Sequence, residues 1–127
     1  MPDKKPYSYA VVRVVPRVDR DEFVNAGVIV YSPANRFLGA RVRMNEPRLK
    51  ALWPSINGEL IERHLQAISR VCKGEANAGP IARMPMGERF HWLTAPRSTM
   101  IQVSPVRTGI SDDPEAVLQR LAEELVS

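Results

Sequence analysis

Apolar residues alternate with polar ones through the first third of the chain and recur at helical spacing later, so the pattern places strands before helices. Tyr7 to Val15 reads Y-S-Y-A-V-V-R-V-V, is rich in aromatic and β-branched residues and is closed by Pro16, a strand signal. Alternation sets Ala10, Val12 and Val14 on one face and Tyr9, Val11, Arg13 and Val15 on the other. Both faces are mostly apolar, which predicts a central strand with Arg13 as its anomaly. Pro16 to Glu22 is a charged connection. Phe23 to Tyr31 is a second strand interrupted at Asn25-Ala26-Gly27, where a glycine inside a strand pattern predicts a bulge or a close backbone approach. Ser32 to Arg36 supplies turn chemistry, and Phe37 to Met44 reads as a third strand hairpinned to the second. Leu38, Ala40, Val42 and Met44 form its core face, with Arg41 and Arg43 opposite.

Helical spacing follows. Glu46 to Trp53 is a short segment stopped by Pro54. Gly58 to Lys73 is a long helix, with Asn57 as N-cap, Gly74 as stop, and Ile61, Leu65, Ile68 and Cys72 as one apolar stripe. Glu59 and Glu62 near its start and Arg70 and Lys73 near its end agree with the helix dipole. Ala76 to Gly87 is a loop, Glu88 to Leu93 a helical turn or a strand with Phe90 to Leu93 as core, and Ser98 to Ser104 a fourth strand. Asp112-Asp113-Pro114-Glu115 opens a final helix whose apolar face is Val117, Leu118, Leu121 and Leu125. Residues 1–6 read as a disordered tail and 7–127 as one domain. The order predicts an α+β fold, a single mainly antiparallel sheet of about four strands with two main helices packed on one face.

Composition narrows the function classes. The length of 127 residues suits one core, and 44% hydrophobic with 25% charged residues is ordinary for a folded chain. No apolar run reaches membrane-span length, no secretory signal opens the chain, and Cys72 is alone, so a soluble protein of the bacterial cytoplasm is expected. The formal net charge is +4, and arginine outnumbers lysine by 14 to 4. Such an excess suits an anionic partner, and a GC-rich genome produces the same bias.

Most chemistries lack their residues. One cysteine and two histidines cannot make a structural zinc site, and His64 and His91 read as half-buried structural histidines. Cys72, on a core face near a helix C-terminus, sits where the dipole disfavours a thiolate. No nucleophile elbow, phosphate loop or dinucleotide fingerprint occurs, so neither catalytic residues, nor a cofactor, nor a metal is expected. What remains is a set of ligand- or anion-binding candidates: Arg13, Asn25, Arg97, Ser98, Thr99, Gln102 and Arg107. Guanidinium forks mixed with hydroxyls and amides suit a phosphate or carboxylate. Arg13 meets either an internal carboxylate (Asp19, Asp21 or Glu22) or an external anion, and Arg97 converges on the same site if its strand lies beside the first.

Three stretches carry a family resemblance: Tyr7 to Arg17 (Y-S-Y-A-V-V-R-V-V-P-R), Glu22 to Tyr31 (E-F-V-N-A-G-V-I-V-Y) and Arg89 to Thr99 (R-F-H-W-L-T-A-P-R-S-T). Together they resemble the bacterial domain of unknown function 3037 family, with Ala26 where valine is expected. The family has no assigned activity or catalytic residues to transfer. The resemblance implies association, as small companions encoded beside a HipA-like serine/threonine kinase. The leading expectation is a non-catalytic binding or accessory module for such a kinase. An arginine-rich nucleic-acid or nucleotide-binding domain and a small enzyme acting on a phosphorylated substrate are the alternatives. No membrane partner is expected.

Overall fold

A computed structural model describes residues 3–96 and 99–126. β1 (Lys5–Arg17) is the longest strand and runs through Pro16, starting within the polar N-terminal stretch. β2 (Glu22–Ser32) lies antiparallel to it, after a 3-10 turn at Val18–Arg20 that ends on Asp21 in the left-handed conformation (φ 56°). β3 (Phe37–Val42) forms the expected hairpin with β2, the four-residue turn closing with Arg36 at φ 50° and its N–H donating to the Pro33 carbonyl at 3.0 Å. On the far edge of β1 lie β4 (Ile101–Val103) and β5 (Arg107–Ser111), end to end and both antiparallel to it.

The sheet therefore has five strands in four positions, in the order β3-β2-β1 and then β4 and β5. Ser104 bridges the break between the last two. Its N–H donates to the Val11 carbonyl and its hydroxyl accepts from the Val11 N–H, both at 2.8 Å, so β1 keeps its ladder where the neighbouring chain turns away.

The helices begin where capping chemistry allows. α1 (Glu46–Leu52) and α2 (Gly58–Lys73) open on Asn45 and Asn57, whose side chains accept from Arg48 and Leu60 N–H groups. α2 stops at Gly74, left-handed at φ 69°. α3 (Met86–Leu93) settles the segment that sequence left as helix or strand, and helical spacing buries Phe90 and Leu93 while leaving His91 and Trp92 exposed. α4 (Pro114–Leu125) is capped by Asp113, which accepts from the Ala116 N–H.

The α+β class and the antiparallel sheet stand as expected, but the helices divide between the two faces. Val12, Val14, Val24, Ala26, Ile29 and Leu38 pack with Leu49, Ile61, Leu65, Cys72, Phe90 and Leu93, placing α1, α2 and α3 on one side. Tyr7, Val28 and Val30 pack with Val117, Leu118 and Leu121, placing α4 on the other. The reason is visible in β2: Val28 and Val30 alternate with Ile29 and Tyr31, so each face carries apolar area that water would penalise.

A second surprise is Arg89, nine-tenths buried with no carboxylate partner among the described residues. Its Nη1 donates to the carbonyls of Val71 (3.0 Å) and Cys72 (2.9 Å), and its Nε to that of Met84 (2.8 Å). The cation sits at the negative end of α2, where it satisfies the Cys72 carbonyl and shares that of Val71 with the Gly74 N–H.

Two substitutions test this core. Leu65 is 0% exposed, and Leu65→Ala is expected to lower unfolding free energy in urea by about 2–5 kcal/mol. Arg89→Ala strips a charged donor from three carbonyls and is expected to cost about 3 kcal/mol, with faster amide exchange in the last turn of α2.

Candidate functional site

The strand pair β1–β2 contains an irregularity that determines where the polar side chains point. Val12 faces Gly27 but Arg13 faces Asn25, so Ala26 is the extra residue of a β-bulge. Beyond it, Ile29 and Tyr31 face α2; before it, Val24 and Ala26 do. The extra residue thus inverts the alternation and turns Asn25 to the α4 face, beside Arg13. Gly27 also answers the second sequence expectation, since a Cβ there would lie 2.8 Å from the Arg41 carbonyl oxygen and 3.0 Å from Val42 Cγ1.

Arg13 pairs across β4 with Gln102 and across β2 with Asn25, so three of the expected site residues form one row over three adjacent strands. The row sits at the end of α4. Asn25 Nδ2 donates to the Leu125 carbonyl at 2.9 Å, closing the last turn of that helix. Its Oδ1 is shut from water and has no partner among the described residues, and the same holds for Arg13 Nε. The Arg13 guanidinium lies over the Phe23 ring, its carbon 4.3 Å from the centroid, and Phe23 is 42% exposed. Gln102 Nε2 donates to the Thr99 carbonyl (2.8 Å) and Thr99 Oγ1 to that of Ile101 (2.8 Å), so Thr99 organises the approach to β4.

The carboxylates expected for Arg13 are otherwise placed. Asp19 pairs with Arg17 at 2.9 Å and Glu22 with Arg20 at 2.6 Å. Asp21 occupies the left-handed turn position, and among the described residues Arg13 forms no ion pair. Arg107 stands opposite Tyr9, on the same face but four positions along β1, about 13 Å away at strand rise. Arg97 and Ser98 lie outside the described residues. Sequence reasoning missed β5 because R-T-G-I-S is mostly polar and holds a glycine.

Other features bear on chemistry. A recess of about 670 Å³ between α1 and the start of α2 is lined by Glu46, Lys50, Glu59, Glu62 and Arg63 among others, and contains none of the expected site residues. Neither do two further recesses along β3. His64 and His91 are both exposed rather than half-buried, because each falls on the outward side of its helix. No three histidine, cysteine or acidic side chains group as a metal set among the described residues, and no helix there is long and apolar enough to cross a membrane.

Cys72 lies in the core as its helical position predicts. Burial pushes its thiol up to about 12, against a smaller opposing pull from the Arg89 cation. Because the folded value lies above the unfolded 9.0, the thiol favours folding fully below pH 9, and that contribution fades as pH rises towards 12. Iodoacetamide at pH 8 is expected to modify Cys72 about a hundredfold more slowly in the native chain than in urea, as mass spectrometry would measure.

Comparison with known proteins adds one finding. No curated protein and no solved structure matches this chain. A family model described as "Protein of unknown function (DUF3037)" matches residues 9–126, which takes in all four helices, the Arg13 row and the whole sheet except the first four residues of β1. The chain belongs to the DUF3037 family.

Proposed function

We propose that the chain is a non-catalytic binding module of the bacterial cytoplasm that takes an acidic group of a partner on the row Asn25–Arg13–Gln102. One observation carries the reading. A half-buried guanidinium stands mid-strand with Nε shut from water, and among the described residues neither an acceptor for that Nε nor a carboxylate pairs with it. Leaving a buried charged donor unmatched is costly, and an incoming carboxylate or phosphate at its terminal nitrogens offsets that cost through charge-assisted bonds. Phe23 beneath the guanidinium fixes its plane and supplies apolar contact area at the rim. The absence of a nucleophile–base pair in the row favours binding over turnover.

The first partner to test is a HipA-like kinase from the same genome, which the family resemblance implies. Titration calorimetry would compare wild type, Arg13→Ala and Arg36→Ala. Arg13→Ala is expected to weaken the complex by about 2 kcal/mol or more, about thirtyfold, while Arg36→Ala, in the hairpin turn, leaves it unchanged. The free Arg13→Ala domain should lose only about 1 kcal/mol of stability, the worth of the Phe23 contact. A large fall in melting temperature with unaltered binding would make Arg13 structural. Absence of any complex with wild type would remove the kinase, and steeply salt-dependent binding of nucleic acid would move the reading to that ligand.

A further inference from the structure

β5 lies at an open margin of the sheet and carries Arg107, which the Arg13 row does not include. β1 is on its inner side, and no described strand lies on its outer side. The N–H and carbonyl of Val11 meet Ser104, and the Val15 N–H donates to the Met100 carbonyl. Odd-numbered residues of β1 therefore direct their backbone groups towards β4 and β5. The even-numbered Pro6 agrees, since its carbonyl accepts from Ser32 Oγ on the β2 side at 3.2 Å. Tyr7 and Tyr9 thus face Gly109 and Arg107 with their backbone groups, and the N–H and C=O of Thr108 and Ile110 turn outward.

The side chains leave this edge open. Ile110 is 67% exposed, more than any other large apolar residue described, and Val106 is also exposed. Tyr7 lies over Gly109, where a Cβ would overlap its hydroxyl and ring. The ring is buried, yet its hydroxyl makes no hydrogen bond with any described residue.

The edge is complementary to itself. Groups that face outward must meet, so in an antiparallel pair of two copies even-numbered residues stand opposite even-numbered ones. A two-fold axis at Gly109 keeps the whole of β5 paired, with Thr108 opposite Ile110 of the second copy and Arg107 opposite Ser111. Arg107 then comes beside Asp112 and Asp113 of the second copy, and symmetry makes this contact twice. Among the described residues none of these three has an ion pair within its own chain. Lys5, across Ser111 on β1, stands one strand farther from the axis and leaves that end net negative. At the axis the two Gly109 residues form a close pair whose Cβ positions lie about 5 Å apart. Each position is taken by a Tyr7 hydroxyl, which brings the two hydroxyls within reach of each other. On the opposite face Ile110 gains Val106 and Ile110 of the second copy as diagonal neighbours. We propose that β5 pairs antiparallel with β5 of a second copy, joining two sheets into one across a two-fold axis at Gly109.

Sedimentation and hydrogen exchange of the full chain test this. Wild type is expected to dimerise, with the Thr108 and Ile110 amides protected at high concentration and unprotected at low. Arg107→Asp and Asp112→Arg change exposed residues, and each is expected to weaken the dimer about tenfold or more. Mixed together, the two variants regain Arg–Asp contacts on both sides of the axis and form a heterodimer close to wild-type affinity. Arg13→Ala sediments as wild type, because it lies four positions along β1 from the residue opposite Arg107. A wild type that stays monomeric at about 1 mM overturns the proposal, as does a dimer with unprotected Thr108 and Ile110 amides. Single variants that dimerise as wild type does, or a mixture that fails to recover, overturn it too. Protection of these amides only on addition of a different protein, in a chain that stays monomeric, would assign the edge to a foreign strand instead.

Discussion

One extra residue governs this fold. Were β2 regular, the face that carries Ile29 and Tyr31 would also carry Asn25, and a carboxamide would enter the α2 core while Val24 and Ala26 faced out. The bulge at Ala26 exchanges these fates in a single step. It lets β2 contribute Val24 and Ala26 to the larger core, and it aligns Asn25 with Arg13 and with the last carbonyls of α4. Gly27 permits this, because the backbone of β3 passes too close for a Cβ. Core continuity and the polar row are therefore two results of the same local geometry.

Much of this was legible in the chain. Asn57 and Gly74 bound α2 because cap chemistry is local, and Asp113-Pro114 opens α4 for the same reason. The Asn25-Ala26-Gly27 interruption signalled the bulge, and the apolar character of both faces of β1 signalled a covered strand. The division of helices between the faces was less legible, since each apolar stripe states that a helix is buried and not which side of a sheet buries it. Ile68 shows the limit of the stripe itself: it packs at the margin of the core, half-buried, while Val71 replaces it inside. Arg89 was invisible because its partners are carbonyls, which every sequence has.

The site was legible in its membership more than in its geometry. Arg13, Asn25 and Gln102 are far apart in sequence, and only strand register makes them neighbours. Arg107 shares their face but not their place, because Ser104 breaks the far edge of β1 into two short strands. The buried interior of the sheet and its two open margins thus divide the work. β1, paired on both edges, holds the row rigidly in place, while β3 at the rim keeps backbone groups free for exchange with water.

The Arg89 guanidinium has a consequence for how the chain tolerates change. By gripping the carbonyls of Val71, Cys72 and Met84 together, it fixes both the exit from α2 and the entry to α3. The stretch between them is a loop whose ends are clasped, with Ala76 and Asn77 exposed at its tip. Closing such a loop grows dearer only with the logarithm of its length, about 0.6 kcal/mol per doubling. Residues 76–77 are accordingly where this fold can accommodate an insertion, such as a tag or a second domain, without disturbing either helix.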